Sequence, residues 1–502
     1  MSIRWVALSL AAATTVVASG GAAMAADAKP TPTASPTRTA SASALAGAQS
    51  KRPAPKQAQG TFIVPFQPPN TASGSKTALQ GIKAGTTSGT YIIVGTTFPN
   101  GYVYTGPIAK SATTSPGVGT WTMMNVPASW GTSASTASPS ASATASASAS
   151  TGMTTSIYGV DNLGNGNVAL VGTWNIGNVS TTGVKSFVYN GPVTATPAAS
   201  AFKQFVAVDP STGKSADATF LHSVSGGLVV GNYDFAGDDN PAGNAFVLDP
   251  STGVQTNVQY PQNQRAFTHT AYGIWWNGGT SYTIAGGSSR SHTPTEPTGD
   301  QYFGTGTLID YNSATKSFSN FRSFAFPGAG GKTILTHFEG IWSNGSGTYR
   351  MPITTNANSA SQGGVATIRR GSNGKFGAAT WKLFTVPGSS TVTTGNSISS
   401  ATVIGVSSVG GTVLPYTFVE SPSSLKSDLR PSARPTPTRT PTRTPSATPS
   451  PTRTPSATST PTRTPSATPT PTRTPAVTAT PTQASTPTVT PTRAVVTATP
   501  TR

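Results

Sequence analysis

The chain contains no cysteine, so it has no disulfide, thiol nucleophile or thiolate metal ligand, and its fold must hold by packing alone. Acids are few: 14 Asp and Glu in 502 residues. Histidine occurs at His222, His269, His292 and His337, without the short fixed spacings of zinc sites. Beyond the N-terminal apolar stretch, no segment approaches the ~20 consecutive apolar residues that span a bilayer. No apolar set recurs with the period of a helix. Neither a G-x-S-x-G elbow nor a phosphate-binding glycine loop is present, and no motif calls for a cofactor.

What is abundant is glycine, proline and small polar residues, together with a formal charge of +18. The position of that charge decides its meaning. Residues 430–502 carry nine Arg and no acid, residues 1–60 carry +5, and residues 61–429 only +4. The central segment is therefore close to neutral, and a nucleic-acid partner, which wants a basic patch on a folded face, is not expected.

The N-terminus reads as a secretory signal: a basic start at Met1–Arg4, an apolar stretch from Trp5, and Ala23-Met24-Ala25 as the cleavage site. Residues 1–25 are expected to be removed and the mature chain to leave the membrane for the extracellular space or cell surface. From Pro435 the sequence settles into a ten-residue repeat, PTRTPSATPS at 441 and its variants at 451, 461 and 471. Proline at that density excludes helix and sheet, so 421–502 is expected to be a disordered, extended tail, with 26–60 a shorter linker of the same kind. The tail's Arg residues could touch anionic wall polymers, each contact being weakened by screening over ~8 Å. It carries no L-P-x-T-G sorting motif, so no covalent wall anchor is expected.

Between these ends, six aromatic or apolar runs stop at Pro65, Pro127, Pro210, Pro261, Pro327 and Pro387. Each reads as a strand ended by a residue that cannot donate to a ladder. Upstream of each run a common grammar recurs. A first strand ends in a polar residue, then Gly or Ser, then Ile or Val: Gln80, Tyr158, His222, Tyr272, Glu339 and Asn396 hold the polar place. A second strand closes on an apolar residue plus Gly, as at Val94-Gly95 and Ile404-Gly405, with Met351-Pro352 at that place in the fifth unit. A third strand precedes the proline-terminated one.

Four antiparallel strands in each of six units resembles the six-bladed β-propeller as an architecture, across residues 61–420. No W-D pair, kelch double glycine or sialidase box ties it to a named propeller family. The sixth unit lacks a fourth strand, and Phe62–Pro65 precedes the first unit without a unit of its own. The expectation is that this N-terminal strand completes the last blade and closes the ring, which also removes an exposed edge. Thr132–Ser156, built on Ser and Ala, is expected to be a low-complexity loop inserted before the second unit, and Ser288–Asp300 a lengthened loop in the fourth.

Inner strands surround a propeller's channel, so the aligned Gln80, Tyr158, His222, Tyr272, Glu339 and Asn396 form the expected ligand-binding ring. Trp275, Trp276 and Trp342, placed in the turns just after it, can stack on sugar rings. Glu339 with His337 is the best acid–base pair the sequence offers, and only Asp161 is placed to serve as a second carboxylate. No metal site is expected: Asp234, Asp238 and Asp239 read as a solvated loop, and Asp161–Asn167 as a hairpin turn. The expectation is an exported binding or structural module for a glycan or anionic wall polymer. The alternative is a propeller hydrolase or lyase built on Glu339.

Overall fold

The computed structural model describes residues 55–72, 75–108, 118–132, 152–176, 183–235, 244–260, 266–290, 304–327, 337–358 and 360–429. The expected signal sequence, the decapeptide tail and most of both expected insertions lie outside them. Strands β1 (Lys56–Gln57) and β2 (Gly60–Ile63) come first. Blade 1 follows as β3 (Thr77–Ala84), β4 (Thr90–Thr97), β5 (Asn100–Pro107) and β6 (Thr120–Met123), and blade 2 as β7 (Met153–Gly164), β8 (Asn167–Ile176), β9 (Lys185–Pro192) and β10 (Phe202–Phe205). Blade 3 holds β11 (Ala218–Ser225), β12 (Leu228–Asp234), β13 (Asn244–Asp249) and β14 (Val254–Asn257). Blade 4 holds β15 (Ala266–Gly278), β16 (Ser281–Arg290), β17 (Gly304–Asn312) and β18 (Ser317–Phe324). Blade 5 is β19 (Trp342–Ser343), β20 (Thr348–Asn358), β21 (Ala360–Arg370) and β22 (Phe376–Phe384). After β23 (Ser389–Thr393), which bridges blades 5 and 6, blade 6 is β24 (Ser397–Ser399), β25 (Thr402–Val409) and β26 (Thr412–Glu420).

This is an all-β, six-bladed propeller, and β2 completes it. β2 pairs antiparallel with β26, Phe62 opposite Phe418, and so supplies the fourth strand of blade 6. β1 pairs parallel with β22, so the same N-terminal segment also clasps blade 5. The first described strand therefore begins at Lys56, ahead of the expected 61, and a helix over Pro422–Leu429 follows blade 6. Among the described residues no helix is long and apolar enough to cross a membrane.

The core lies between blades. Each apolar layer joins two neighbours: Val94 and Val103 of blade 1 pack with Ile157 and Leu170 of blade 2, and Ile404 of blade 6 packs with Leu79 and Ile93 of blade 1. The blade 5–6 layer adds a buried polar lock. Arg350 of β20 donates to Ser400 O and Glu420 Oε2, while Lys382 of β22 donates to Glu420 Oε1 at 2.8 Å and to Ser424 O at 2.7 Å.

The repeated grammar has a steric cause. In blades 1 to 4 the register slips by one residue on the inner strand, between Leu79/Gly81, Ile157/Gly159, Leu221/Ser223 and Ala271/Gly273. The polar residue of each unit is the extra residue of a β-bulge. The bulge drives the carbonyl two residues earlier against the second strand, where only glycine leaves room. A Cβ at Gly95, Gly172, Gly231, Gly286 or Gly405 would collide with Ala78 O, Ser156 O, Phe220 O, Thr270 O or Thr394 O. The small residue after the bulge meets the next blade instead: a Cβ on Gly81 would lie 2.5 Å from Tyr158 O, and one on Gly159 2.7 Å from His222 O.

Three expectations need correcting. The prolines do not end the strands. Pro65, Pro127, Pro210, Pro327 and Pro387 all follow the last strand residue at an interval, in the connection to the next blade. Blade 5 is read one residue out: Phe338 bridges Ile353 and Glu339 N donates to Pro352 O, so Ile353, not Pro352, holds the glycine place. It faces Gly364, where blade 1 sets Gly95 against Tyr102, so large and small have exchanged strands. Finally, Trp275 and Trp276 lie within β15, and Trp342 within β19, not in turns.

Candidate functional site

The bulges aim their side chains at the axis. Gln80, Tyr158, His222, Tyr272 and Glu339 line one cavity together with Lys83, Trp275 and Trp342. Asn396, the sixth member of the aligned ring, does not line it. Its Nδ2 donates to Leu79 O at 2.8 Å and to Gln80 Oε1 at 3.4 Å, sealing blade 6 to blade 1. The enclosed space is about 40 Å³. At ~10–15 Å³ per water it holds a few waters, and it is far below the ~150 Å³ that admits a benzene. A sugar ring does not fit inside.

Five side chains touch in sequence, four of them lining the cavity and the fifth, His337, linking Tyr272 to Glu339. Tyr158 meets His222 edge-on at 5.4 Å between ring centroids, His222 meets Tyr272 at 4.6 Å, and Tyr272 meets the ring of His337 at 5.3 Å. His337 Nε2 ends the arc 2.5 Å from Glu339 Oε1, both side chains partly exposed. Burial, and then the neighbouring His337, push His222 down to about 3, so its imidazole is neutral. Its Nε2 is buried with no hydrogen-bond partner among the described residues. Burial pulls His337 down as well, but the Glu339 carboxylate outweighs it and the net displacement is upward. Tyr272 is raised well above its ordinary value, by burial first and then by the charge of Glu339. Tyr158 is raised by burial, against a hydrogen bond with Thr173.

Three residues farther along each inner strand stand Lys83, Asp161, Ser225, Trp275, Trp342 and Ser399. Of this second ring Lys83, Trp275, Trp342 and Ser399 line the cavity and form its mouth. Lys83 Nζ lies 2.9 Å from Asp161 Oδ1 and 5.1 Å from the centroid of the Trp275 ring. Blade 1 stands opposite blade 4 in a ring of six, so Lys83 crosses the mouth. Trp275 meets Trp342 edge-on at 6.3 Å. Reading the third residue after each polar position would have exposed Lys83, which the aligned ring alone did not. Trp276 points away from the cavity: it is 47% exposed, covers Gly226 and donates from Nε1 to Gly279 O.

Asp161, the expected second acid, is engaged by Lys83 and by the Gly226 N–H, and is not among the cavity's lining residues. Its segment is a hairpin turn through Asn165 and Gly166 between β7 and β8. His269 stacks on Tyr260 with centroids 3.4 Å apart, well separated in role from His337. Asp234 accepts from Phe235 N, while Asp238, Asp239 and His292 fall outside the described residues. Among the described residues no three His, Asp or Glu side chains are placed to hold a metal ion.

No family model matches the chain, and no curated protein does. Among solved structures it is similar to an engineered GH43 glycoside hydrolase with endo-xylanase and exo-arabinofuranosidase activity, at 14% identity over 68% of this chain and 59% of that one, TM-score 0.29. It is also similar to the N-terminal domain of Nup159, at 8% identity over 73% and 98%, TM-score 0.29. A third is the β-1,2-mannobiose phosphorylase of Listeria innocua, at 8% over 71% and 94%, TM-score 0.30.

Proposed function

We propose that this protein is an exported, surface or extracellular binding module whose ligand, a polysaccharide or wall polymer, rests on the channel mouth at Trp275 and Trp342. The observation that carries this reading is the convergence of unlike polar groups in one cavity too small for a sugar ring, beneath a mouth that presents two indoles. A ring stacked on a half-buried indole gains apolar contact, while its hydroxyls meet the polar wall below. Paired-carboxylate hydrolysis needs two acids flanking the scissile bond. The cavity offers Glu339, already held by His337.

The test is a glycan array run beside a hydrolysis assay on wild type, Glu339→Gln and Trp342→Ala. Binding by wild type and Glu339→Gln, weakened in Trp342→Ala, with no turnover by any form, upholds the module. Turnover lost in Glu339→Gln establishes the alternative hydrolase or lyase. Neither binding nor turnover leaves a structural protein.

A further inference from the structure

The mouth already holds a cation. Asp161 is fixed for that purpose from both sides: its Oδ1 accepts the Asn162 N–H at 3.1 Å and its Oδ2 the Gly226 N–H at 2.9 Å, so the carboxylate cannot turn away. The indole face of Trp275 stands across from it, with Trp342 behind. An oriented carboxylate opposite an indole face is the arrangement that selects an ammonium over a neutral group, through a charge-assisted hydrogen bond on one side and the ring quadrupole on the other. The ammonium found there is the chain's own, reaching from blade 1 on a flexible side chain that is 24% exposed.

Resting on the channel-mouth reading above, we propose that the Asp161–Trp275 pair is a recognition site for a primary ammonium, as carried by an amino sugar, and that Lys83 is its tethered occupant. A ligand amine displaces Lys83 into solvent and takes its two contacts. The exchange conserves charge at the site, since one ammonium replaces another beside the same carboxylate. A neutral hydroxyl in that place would leave Asp161 without its cation, so the site discriminates amine-bearing polymers from neutral ones.

Calorimetric titration with n-propylammonium, against n-propanol as the neutral isostere, decides the matter. In Lys83→Ala the tethered competitor is gone, and propylammonium is expected to bind about tenfold more tightly than to wild type, where it must first displace the chain's own ammonium. Adding Asp161→Asn to Lys83→Ala is expected to abolish the gain. Equal responses to propylammonium and propanol, or no gain in Lys83→Ala, overturn the proposal. Should Lys83→Ala not fold, Lys83→Gln, which keeps the stem and removes the ammonium, decides instead: tighter propylammonium binding than to wild type upholds the site, and no gain overturns it. A polysaccharide that binds wild type undiminished by propylammonium leaves the mouth a binding surface and overturns the ammonium assignment alone.

Discussion

Phe62 and Phe418 face each other across the seam of blade 6, their ring centroids 4.6 Å apart, joining the two ends of the folded chain. Phe418 is buried and Phe62 partly so, with Phe384 of blade 5 packed against both. Phe418→Ala is expected to cost about 3–5 kcal/mol. A chain lacking residues up to 63 is expected to melt lower and to self-associate through the bared edge of β26. A synthetic peptide spanning Lys56–Phe66, added in trans, should raise its Tm. No effect of the peptide would show that β2 is not what closes the ring.

A second prediction concerns the Arg350–Glu420–Lys382 lock. Removing the shared anion with Glu420→Gln leaves two buried cations facing each other and is expected to cost about 3–5 kcal/mol by denaturant titration. Burial alone would raise the Glu420 carboxyl, but Arg350, Lys382 and Ser424 lower it on balance. A carboxyl lowered in the folded state contributes stability above its unfolded value and loses it as pH falls through the folded one. Wild type should therefore lose stability in the acid range below its ordinary value of 4.5, and Glu420→Gln should lose less there.

The two channel histidines pull in opposite directions. His222, held near 3 against an ordinary 6.5, binds its proton more readily when unfolded, so stability falls as pH drops through that window. His337, displaced upward, contributes stability that is full below 6.5 and is lost as pH rises through its raised value. Tm measured from pH 8 to 4 should fall less on the acid side for His222→Phe than for wild type. Replacing His337 with Asn should cost more at pH 6 than at pH 8. Parallel profiles for all three proteins would refute both assignments.

The sequence pattern and the structure agree where sterics dictate a residue, and part company where nothing does. The column of Gln80, Tyr158, His222 and Tyr272 was legible because the bulge demands a small residue after it and a glycine across from it, so the chain spells out the bulge in five of its six blades. Blade 5 slipped because Ile353 and Gly364 had exchanged volumes, which preserves the packing while hiding the mark. Asn396 sits in the right column yet turns to Leu79 O, since blade 6 must be sealed to blade 1 at that level. Lys83 carried no signal of its own: a lone lysine on a strand looks solvated until the opposite blade is known to bring Trp275 beneath it. Nor could pattern show that β1, two residues of a proline-flanked linker, would clasp β22.

The glycine places supply a fourth prediction with its own control. Gly172→Ala and Gly286→Ala put a methyl into Ser156 O and Thr270 O, backbone atoms that cannot move without breaking the bulge. Each is expected to cost at least about 1–3 kcal/mol, the usual penalty of overpacking. Gly152→Ala, whose Cβ would meet nothing within 4 Å, should be nearly neutral by the same thermal melt. Equal costs at all three positions would show that collision with the bulge carbonyl does not govern them.

Pairing β2 with β26 also fixes the order in which the fold can finish. The chain is made from its N-terminus, so β2 is the first blade strand to appear and the last to find its place. Until Phe418 arrives, blade 6 has no partner for Phe62 and the interblade layer around Ile63, Leu79 and Ile404 is incomplete. Pairings this distant in sequence are slow to form. Blades 1 to 4 can each assemble from their own neighbours in order, but the ring becomes a single cooperative body only in its last step, when the oldest strand meets the newest.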